Sequence, residues 1–284
     1  MIAIAQRNLR IFFRDRAAVL FSLLAVFIIL GLYVIFLADN IVAGLPEIPG
    51  VDFLINSWIL AGILAVTSVT STMGAFGIMV EDRSRKILKD FTTSPLQKAK
   101  LTGGYILSAC SVGIIMSIVA LLLGEGYLLL FDGELLPWAS LLEVLGLIVL
   151  AVLASSSIVF FITTFMRSSN AFSAASTVIG TLIGFLTGIY VPVGSLPDTV
   201  QWVIKLFPIS HAGVLIRSVM LERPMEVSFA GAPAEALEQF EQNMGVVYQL
   251  GDYTVQSWLS ITILIGTTLL FFGLSMLNLS RKSK

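Results

Sequence analysis

Few side chains in this sequence can do covalent chemistry. It holds one histidine, His211, and one cysteine, Cys110. Neither an H-E-x-x-H zinc site, nor a cysteine-based metal cluster, nor an intrachain disulfide can be assembled from them. No lysine follows a glycine, which removes a phosphate-cradling G-x-x-x-x-G-K-[ST] loop, and no G-x-S-x-G nucleophile elbow occurs. His211 stands beside an expected helix start, where capping or an outer-surface contact suits it better than catalysis. What remains is soft polarity at helical spacing. Thr67, Thr70, Ser71 and Gly74 fall at i, i+3, i+4 and i+7 on one helix face. Ser176, Gly180, Gly184 and Gly188 make a small-xxx-small ladder that lets helices approach closely, and Ser155, Ser156 and Ser157 stand consecutively. Each pattern serves either ordinary packing or contact with a passing molecule.

The charges are equally localised. In Glu81-Asp82-Arg83-Ser84-Arg85-Lys86-Ile87-Leu88-Lys89-Asp90-Phe91 the acids come first and most of the bases later, which suits a helix dipole. Ile87, Leu88 and Phe91 form a small apolar face on this charged stretch. Ser94 and Pro95 follow as a natural cap and first-turn residue of the next helix. The segment reads as a docking element for a cytosolic partner, or as a connector made basic by topology. At the N-terminus, Ile2, Ala5, Leu9 and Phe12 or Phe13 recur at helical spacing opposite Gln6, Arg7, Arg10 and Arg14. That pattern predicts an amphipathic helix over 1–16 lying against lipid head groups, or a basic flank that only fixes topology.

The elements that must position these residues follow from composition. Of 284 residues, 57% are hydrophobic and 12% charged, about half the ~25% charge of a soluble domain, and mean hydropathy is +0.94. Disorder and nucleic-acid binding are excluded. A bilayer-crossing helix needs about 20 apolar residues, since the hydrocarbon is ~30 Å thick and each residue rises ~1.5 Å. Six stretches lacking Asp, Glu, Lys, Arg and His reach that length: 17–38, 53–80, 101–124, 144–166, 168–195 and 253–280. The first is too long for a signal-peptide core and no small-residue cleavage site follows it.

Six spans divide the polar segments into two sets. One, containing the N-terminus, 81–100, 167–170 and the C-terminus, has fourteen Lys/Arg against four acids; the other has three against fourteen. The basic set belongs in the cytoplasm, with both termini. Between the last two spans, 196–252 opens with two apolar runs of about 11 residues, each too short to cross at ~1.5 Å per residue. Pro197 stands in a first-turn position of the first run, Phe207-Pro208-Ile209-Ser210-His211 links it to the second, Ala212–Glu222, and Ser195 and Ser210 are the expected caps. A re-entrant helical pair followed by a small acidic external cap, with one helix near 234–244, accommodates them. The fold class is therefore an all-α polytopic membrane protein: six transmembrane helices, an N-terminal interface helix, a cytoplasmic helix between spans two and three, and a re-entrant pair before span six.

The order and spacing of Glu81-Asp82-Arg83…Thr93-Ser94-Pro95-Leu96 and Leu196-Pro197…Phe207-Pro208…Arg217, set among six spans, resemble the permease subunits of ABC-2 type exporters over essentially the whole chain. The resemblance implies a single transmembrane domain over 1–284. It implies that Glu81, Asp82, Arg83, Arg85, Ile87, Leu88, Phe91 and Pro95 belong to a coupling helix docked on a separate ABC ATPase subunit. It implies that spans two and five, with Thr67, Thr70, Ser71, Gly74, Gly180, Gly184 and Gly188, flank the pathway, and that Pro197, Pro208 and Arg217 shape an outer gate. A second permease copy or homologue completes a dimer, and ATP and Mg belong to the partner ATPase, with no cofactor bound by this chain. Spans without ionisable residues argue against a proton-driven carrier. A lining of Ser, Thr, Gly and aliphatics suits an amphipathic or hydrophobic cargo such as a drug, antimicrobial peptide or lipid-like molecule. The rival expectations are a membrane sensor or immunity scaffold that binds such a molecule without moving it, and an ATP-independent channel or carrier.

Overall fold

The computed structural model describes residues 1–32, 49–88, 97–131, 133–166, 168–251 and 253–281. Helix α1 (Ile2–Arg14) and helix α2 (Arg16–Leu32) are separated by Asp15, whose carboxylate accepts the Ala17 and Ala18 N–H groups at 3.0 and 3.1 Å. Asp15 thus caps α2, as a short acidic side chain does at a helix start. Then come α3 (Val51–Ser84), α4 (Lys98–Leu130), α5 (Trp138–Phe165) and α6 (Ser169–Leu186). A 3-10 turn (Val193–Ser195) leads to α7 (Asp198–Leu206) and α8 (Pro208–Met220), which share Phe207 and are bent by 89°. Helices α9 (Glu222–Ser228) and α10 (Ala234–Asn243) follow, then a two-stranded ribbon, β1 (Gln249–Leu250) with β2 (Tyr253–Thr254), and α11 (Ser257–Arg281).

Five of these helices are long and apolar enough to cross a membrane, and the bent α7–α8 pair makes a sixth candidate if counted as one span. Their packing is unequal. In α3, 83% of the most apolar window is buried inside the molecule, against 17% in α6 and 22% in α11. Helix α3 is therefore the central element, packed by α2, α4, α5, α6 and α8, while α6 and α11 lie at the periphery.

Two apolar clusters fill the bundle. One joins the first half of α3 to α4, α5 and α8 through Trp58, Leu64, Leu121, Ile148 and Ile216; the other joins the second half of α3 to α1, α4 and α5 through Phe12, Phe76, Tyr105 and Phe160. Polar groups bridge helices where lipid cannot satisfy them. Ser68 and Ser155 hydroxyls meet at 3.0 Å, the Cys110 thiol donates to Ser156 at 3.4 Å, and the Asn278 amide donates to Thr164 at 2.7 Å. The third serine, Ser157, donates to the Ala154 carbonyl of its own helix. Gly113 is required at the α3–α4–α5 crossing: a Cβ there would lie 2.8 Å from both Thr72 Cγ2 and Val152 Cγ1.

Several expected boundaries move. Span five does not run to Ser195 but stops at Leu186, because Gly188 takes φ +67°. The Ile189 N–H then returns to the Gly184 carbonyl and the Gly188 N–H to Phe185, both at 3.0 Å. This is a Schellman stop, invisible to an apolarity scan because the chain stays apolar through it. Gly188 is consequently the end of the small-residue ladder rather than its fourth rung. Span six starts at Ser257, Tyr253 and Thr254 being drawn into the ribbon. Span one is described from Arg16 to Leu32, and the remainder of 17–38 lies outside the described residues.

The expected separate helix over 81–91 is not what forms at its start. Glu81, Asp82, Arg83 and Ser84 are the last turn of α3, and the chain breaks at Arg85–Lys86, where Lys86 has φ +64°. Ser195 and Ser210 are not caps. Ser195 closes the 3-10 turn, and the Ser210 hydroxyl donates to the Ile204 and Phe207 carbonyls at 2.6 Å, sealing the end of α7. On α1 the buried seam is Ile4, Ala5, Asn8 and Phe12, while Ile2 is exposed. That face packs on α4, where Gly104 admits it: a Cβ there would meet Ile4 Cβ at 2.7 Å.

Candidate functional site

At one end of the bundle the charged residues pair with each other. Asp82 is buried and receives both Arg7 guanidinium nitrogens, Nη1 to Oδ2 at 2.6 Å and Nη2 to Oδ1 at 3.0 Å. The Tyr105 hydroxyl donates to the same Oδ2 at 2.6 Å. Arg7 also reaches the Asn8 side-chain oxygen at 3.0 Å, and the Asn8 amide donates to Ser108 at 3.3 Å. The two-pronged geometry is the strong form of the arginine–carboxylate bond, and the Asp82 hydrogen bond raises the Arg7 pKa above its ordinary value. Three elements, α1, α3 and α4, are thereby tied at one carboxylate.

Beside this latch, Arg83 turns the other way and donates to the Thr163 and Met166 carbonyls at 2.9 and 2.8 Å, capping the end of α5. Glu81 and Arg85 pair on the surface at 2.7 Å. Ile87 and Leu88 are half-buried just past the break, and Leu88 packs on the second apolar cluster. Phe91 and Pro95 lie outside the described residues. The sequence segment expected to face a partner thus divides: Asp82 and Arg83 hold the bundle together, and Glu81 and Arg85 face outward.

Halfway along α3 a groove of about 280 Å³ opens between α1, α2, α3 and α6. Thr70 and Gly74 line it from α3 and Ser176 and Gly180 from α6, with Phe12, Phe21, Ser22 and Met73 completing the wall. The structure brings these spaced small residues of the two helices together in one surface. A Cβ on Gly180 would meet nothing within 4 Å, so this glycine opens space rather than fitting a neighbour. Thr67 and Ser71, on the same stripe, are fully buried away from this lining, and among the described residues no partner reaches either hydroxyl. Gly184 is separate from the groove and lies under the Tyr190 ring.

At the opposite end, Arg217 on α8 is completely buried. Its Nη2 donates to the Thr187 carbonyl at 2.9 Å and its Nη1 to Gly245 at 3.5 Å, while its guanidinium carbon lies 4.9 Å from the Trp58 ring centroid. The Trp58 indole N–H in turn donates to the Met244 carbonyl at 2.7 Å. Thr187 is the C-cap of α6 and Gly245 directly follows Met244, the C-cap of α10, so the cation bonds the last carbonyl of α6 and sits just past the end of α10, where a positive charge is favoured. Pro197 precedes the first residue of α7, and Pro208 is the first residue of α8, where its missing N–H costs no helical bond. The two prolines start the two arms of the bend, and Arg217 anchors its inner arm.

Sequence reasoning did not anticipate the side chains that Asp82 and Arg217 meet. Arg7 and Tyr105 complete the Asp82 latch, and Trp58 and Thr187 the Arg217 cage. A lone tyrosine hydroxyl and a lone tryptophan within apolar helices were the available signals, since each needs a hydrogen-bond partner when buried. His211 is held structurally, between the Ser260 hydroxyl and the Lys205 carbonyl at 3.0 Å each. Among the described residues no group of three or more His, Cys, Asp or Glu is placed to hold a metal ion.

Comparison with known proteins gives a consistent picture. The chain is 35% identical over 88 residues to nodulation protein J of Rhizobium meliloti (strain 1021), covering 31% of this chain and 34% of that protein. It is 27% identical over 193 residues to nodulation protein J of Rhizobium leguminosarum bv. viciae, covering 63% and 67%. The match thus spans about a third of the length of the first of these relatives. The family model described as ABC-2 family transporter protein matches residues 50–277. Running from the residue before α3 into the last turns of α11, that match takes in every described element except α1 and α2, and the chain belongs to the ABC-2 family as a multi-pass protein of the cell membrane.

Proposed function

We propose that the chain is the permease subunit of an ATP-driven exporter for an amphipathic or hydrophobic cargo, paired with a second permease copy or homologue and powered by a separate ATPase. The Arg7–Asp82 end lies in the cytoplasm with both termini, following the excess of lysine and arginine. The observation that carries the reading is α3 itself. Its 34 residues at ~1.5 Å each make a rod of about 50 Å, longer than the ~30 Å hydrocarbon. One end is fixed near the Arg217 cage by Trp58 and the other in the Asp82 latch, with the small-residue groove between. Ile87 and Leu88 lie past the break at Arg85–Lys86, but Leu88 packs on the apolar cluster around Phe76 and Val80. A displacement applied there therefore reaches the last turns of α3 through that contact and the groove wall through the rod. The exposed faces of α6 and α11 offer surface to a second copy.

ATP and Mg belong to the partner, whose closure supplies the displacement. Leu88→Glu in proteoliposomes that also hold the ATPase is expected to lower cargo flux by about tenfold while basal ATP hydrolysis persists. The measurement is flux per ATP hydrolysed, and an unchanged ratio would overturn the coupling role.

A further inference from the structure

The α7–α10 end carries a second cavity, about 320 Å³ in volume, separate from the groove between α3 and α6. Gln201 and Lys205 line it from α7, Gln239, Gln242 and Asn243 from α10, and Gln249 from β1. Five carboxamides and one ammonium, with no carboxylate, make an unusual composition at a protein end that is otherwise acidic. A carboxamide carries two donors and an acceptor without net charge, of which Gln201, its nitrogen turned to the Leu196 and Gly194 carbonyls, leaves the acceptor, and the ammonium adds three donors. Such a lining matches a ligand head rich in hydroxyl or amide groups and disfavours a cationic one. Gln239, Gln242 and Asn243 share one face of α10 by their i, i+3, i+4 spacing. Gln201 is held in place by donating to the Leu196 carbonyl at 2.9 Å.

Helix α7 adds the second half of the argument. Ile204 is buried, Gln201 and Lys205 face the cavity, and Trp202, Val203 and Leu206 are exposed at 51%, 55% and 72%. Since α8 is buried among α3, α5 and α11 and α7 leaves it at 89°, α7 runs across the bundle rather than along it. A short helix with an exposed tryptophan, valine and leucine face, on a multi-pass membrane protein, lies in the interface with that face in the acyl boundary. The polar cavity therefore adjoins the lipid, with α7 as the wall between them.

We infer that this cavity is a head-group site for an amphiphile, holding an uncharged or anionic hydroxyl- or amide-bearing head while its apolar tail lies along Trp202 and Leu206 in the outer leaflet. The outward placement rests on the proposed export topology; the head-group chemistry does not. The test uses the full chain in phosphatidylcholine nanodiscs and two photoreactive probes of equal chain length, an alkyl maltoside and an alkyl trimethylammonium, with cross-links mapped by residue. The maltoside probe is expected to label α7 saturably, and Gln239→Ala with Gln242→Ala to reduce that labelling about fivefold, as the loss of about one net hydrogen bond predicts. The ammonium probe is expected to show no saturable labelling there. Equal labelling by both probes, or saturable labelling that survives both substitutions, would overturn the site. Labelling of exposed α6 is the folding control for the variants. Because no nucleotide is needed, saturable labelling without ATP-driven flux would refute export and keep the site, and flux without labelling would do the reverse.

Discussion

Arg217 is the residue on which the α6–α8–α10 junction depends. A fully buried guanidinium is rarely tolerated unless donors are used, and here Nη2 and Nη1 reach the carbonyls of Thr187, at the end of α6, and of Gly245, just past α10, above an indole face. Arg217→Ala is expected to destabilise the molecule by about 3 kcal/mol, the scale of charge-assisted hydrogen bonds lost and carbonyls stranded. Arg217→Lys should recover only part of this, since an ammonium lacks the planar fork that spans both carbonyls. Thermal unfolding in detergent measures it; a melting temperature unchanged in both variants would contradict the assigned role. Arg217 was a candidate through the family resemblance, as the last residue of the Leu196-Pro197…Phe207-Pro208…Arg217 pattern. Its partners were not, because Trp58 and Thr187 lie 159 and 30 positions away and only the folded chain joins them.

At the scale of elements, long apolar segments were readable and their ends were not. A span is specified by twenty residues of composition, whereas its end is set by one backbone angle, as at Gly188, or by one ribbon, as at Tyr253. Helix α1 shows the same limit. Its amphipathic spacing was evident, but the spacing that fits a lipid surface also fits the groove above Gly104, and burial of Asn8 and half-burial of Arg7 decide for the latter. Arg7→Ala should therefore loosen α1 from α3 and α4 while leaving the spans intact. The expected change is about a tenfold increase in amide exchange over Ile4–Phe12, corresponding to ~1.4 kcal/mol of local stability. Exchange in α1 no faster than in the parent would mean that apolar packing alone holds it. Asp82→Asn, which keeps the shape and removes the charge, should give a smaller change in the same amides.

For the whole molecule, the family was legible in the order and spacing of the motifs along the chain, and the interior arrangement was not. Membership of the ABC-2 family agrees with that resemblance, while the folded chain buries Glu125 within α4 and Arg217 within α8, which a scan for uncharged stretches sets at the edges of spans or outside them. The stripe on α3 was visible, but its split into Thr70 and Gly74 on the groove and Thr67 and Ser71 in the interior depends on how α2 and α6 pack. The most direct measurement of the central claim is cargo flux in proteoliposomes holding this chain with its ATPase, compared with an ATPase unable to hydrolyse ATP. The account predicts accumulation of cargo on the far side with the active ATPase and only passive leak with the disabled one. Equal accumulation in the two preparations would contradict it.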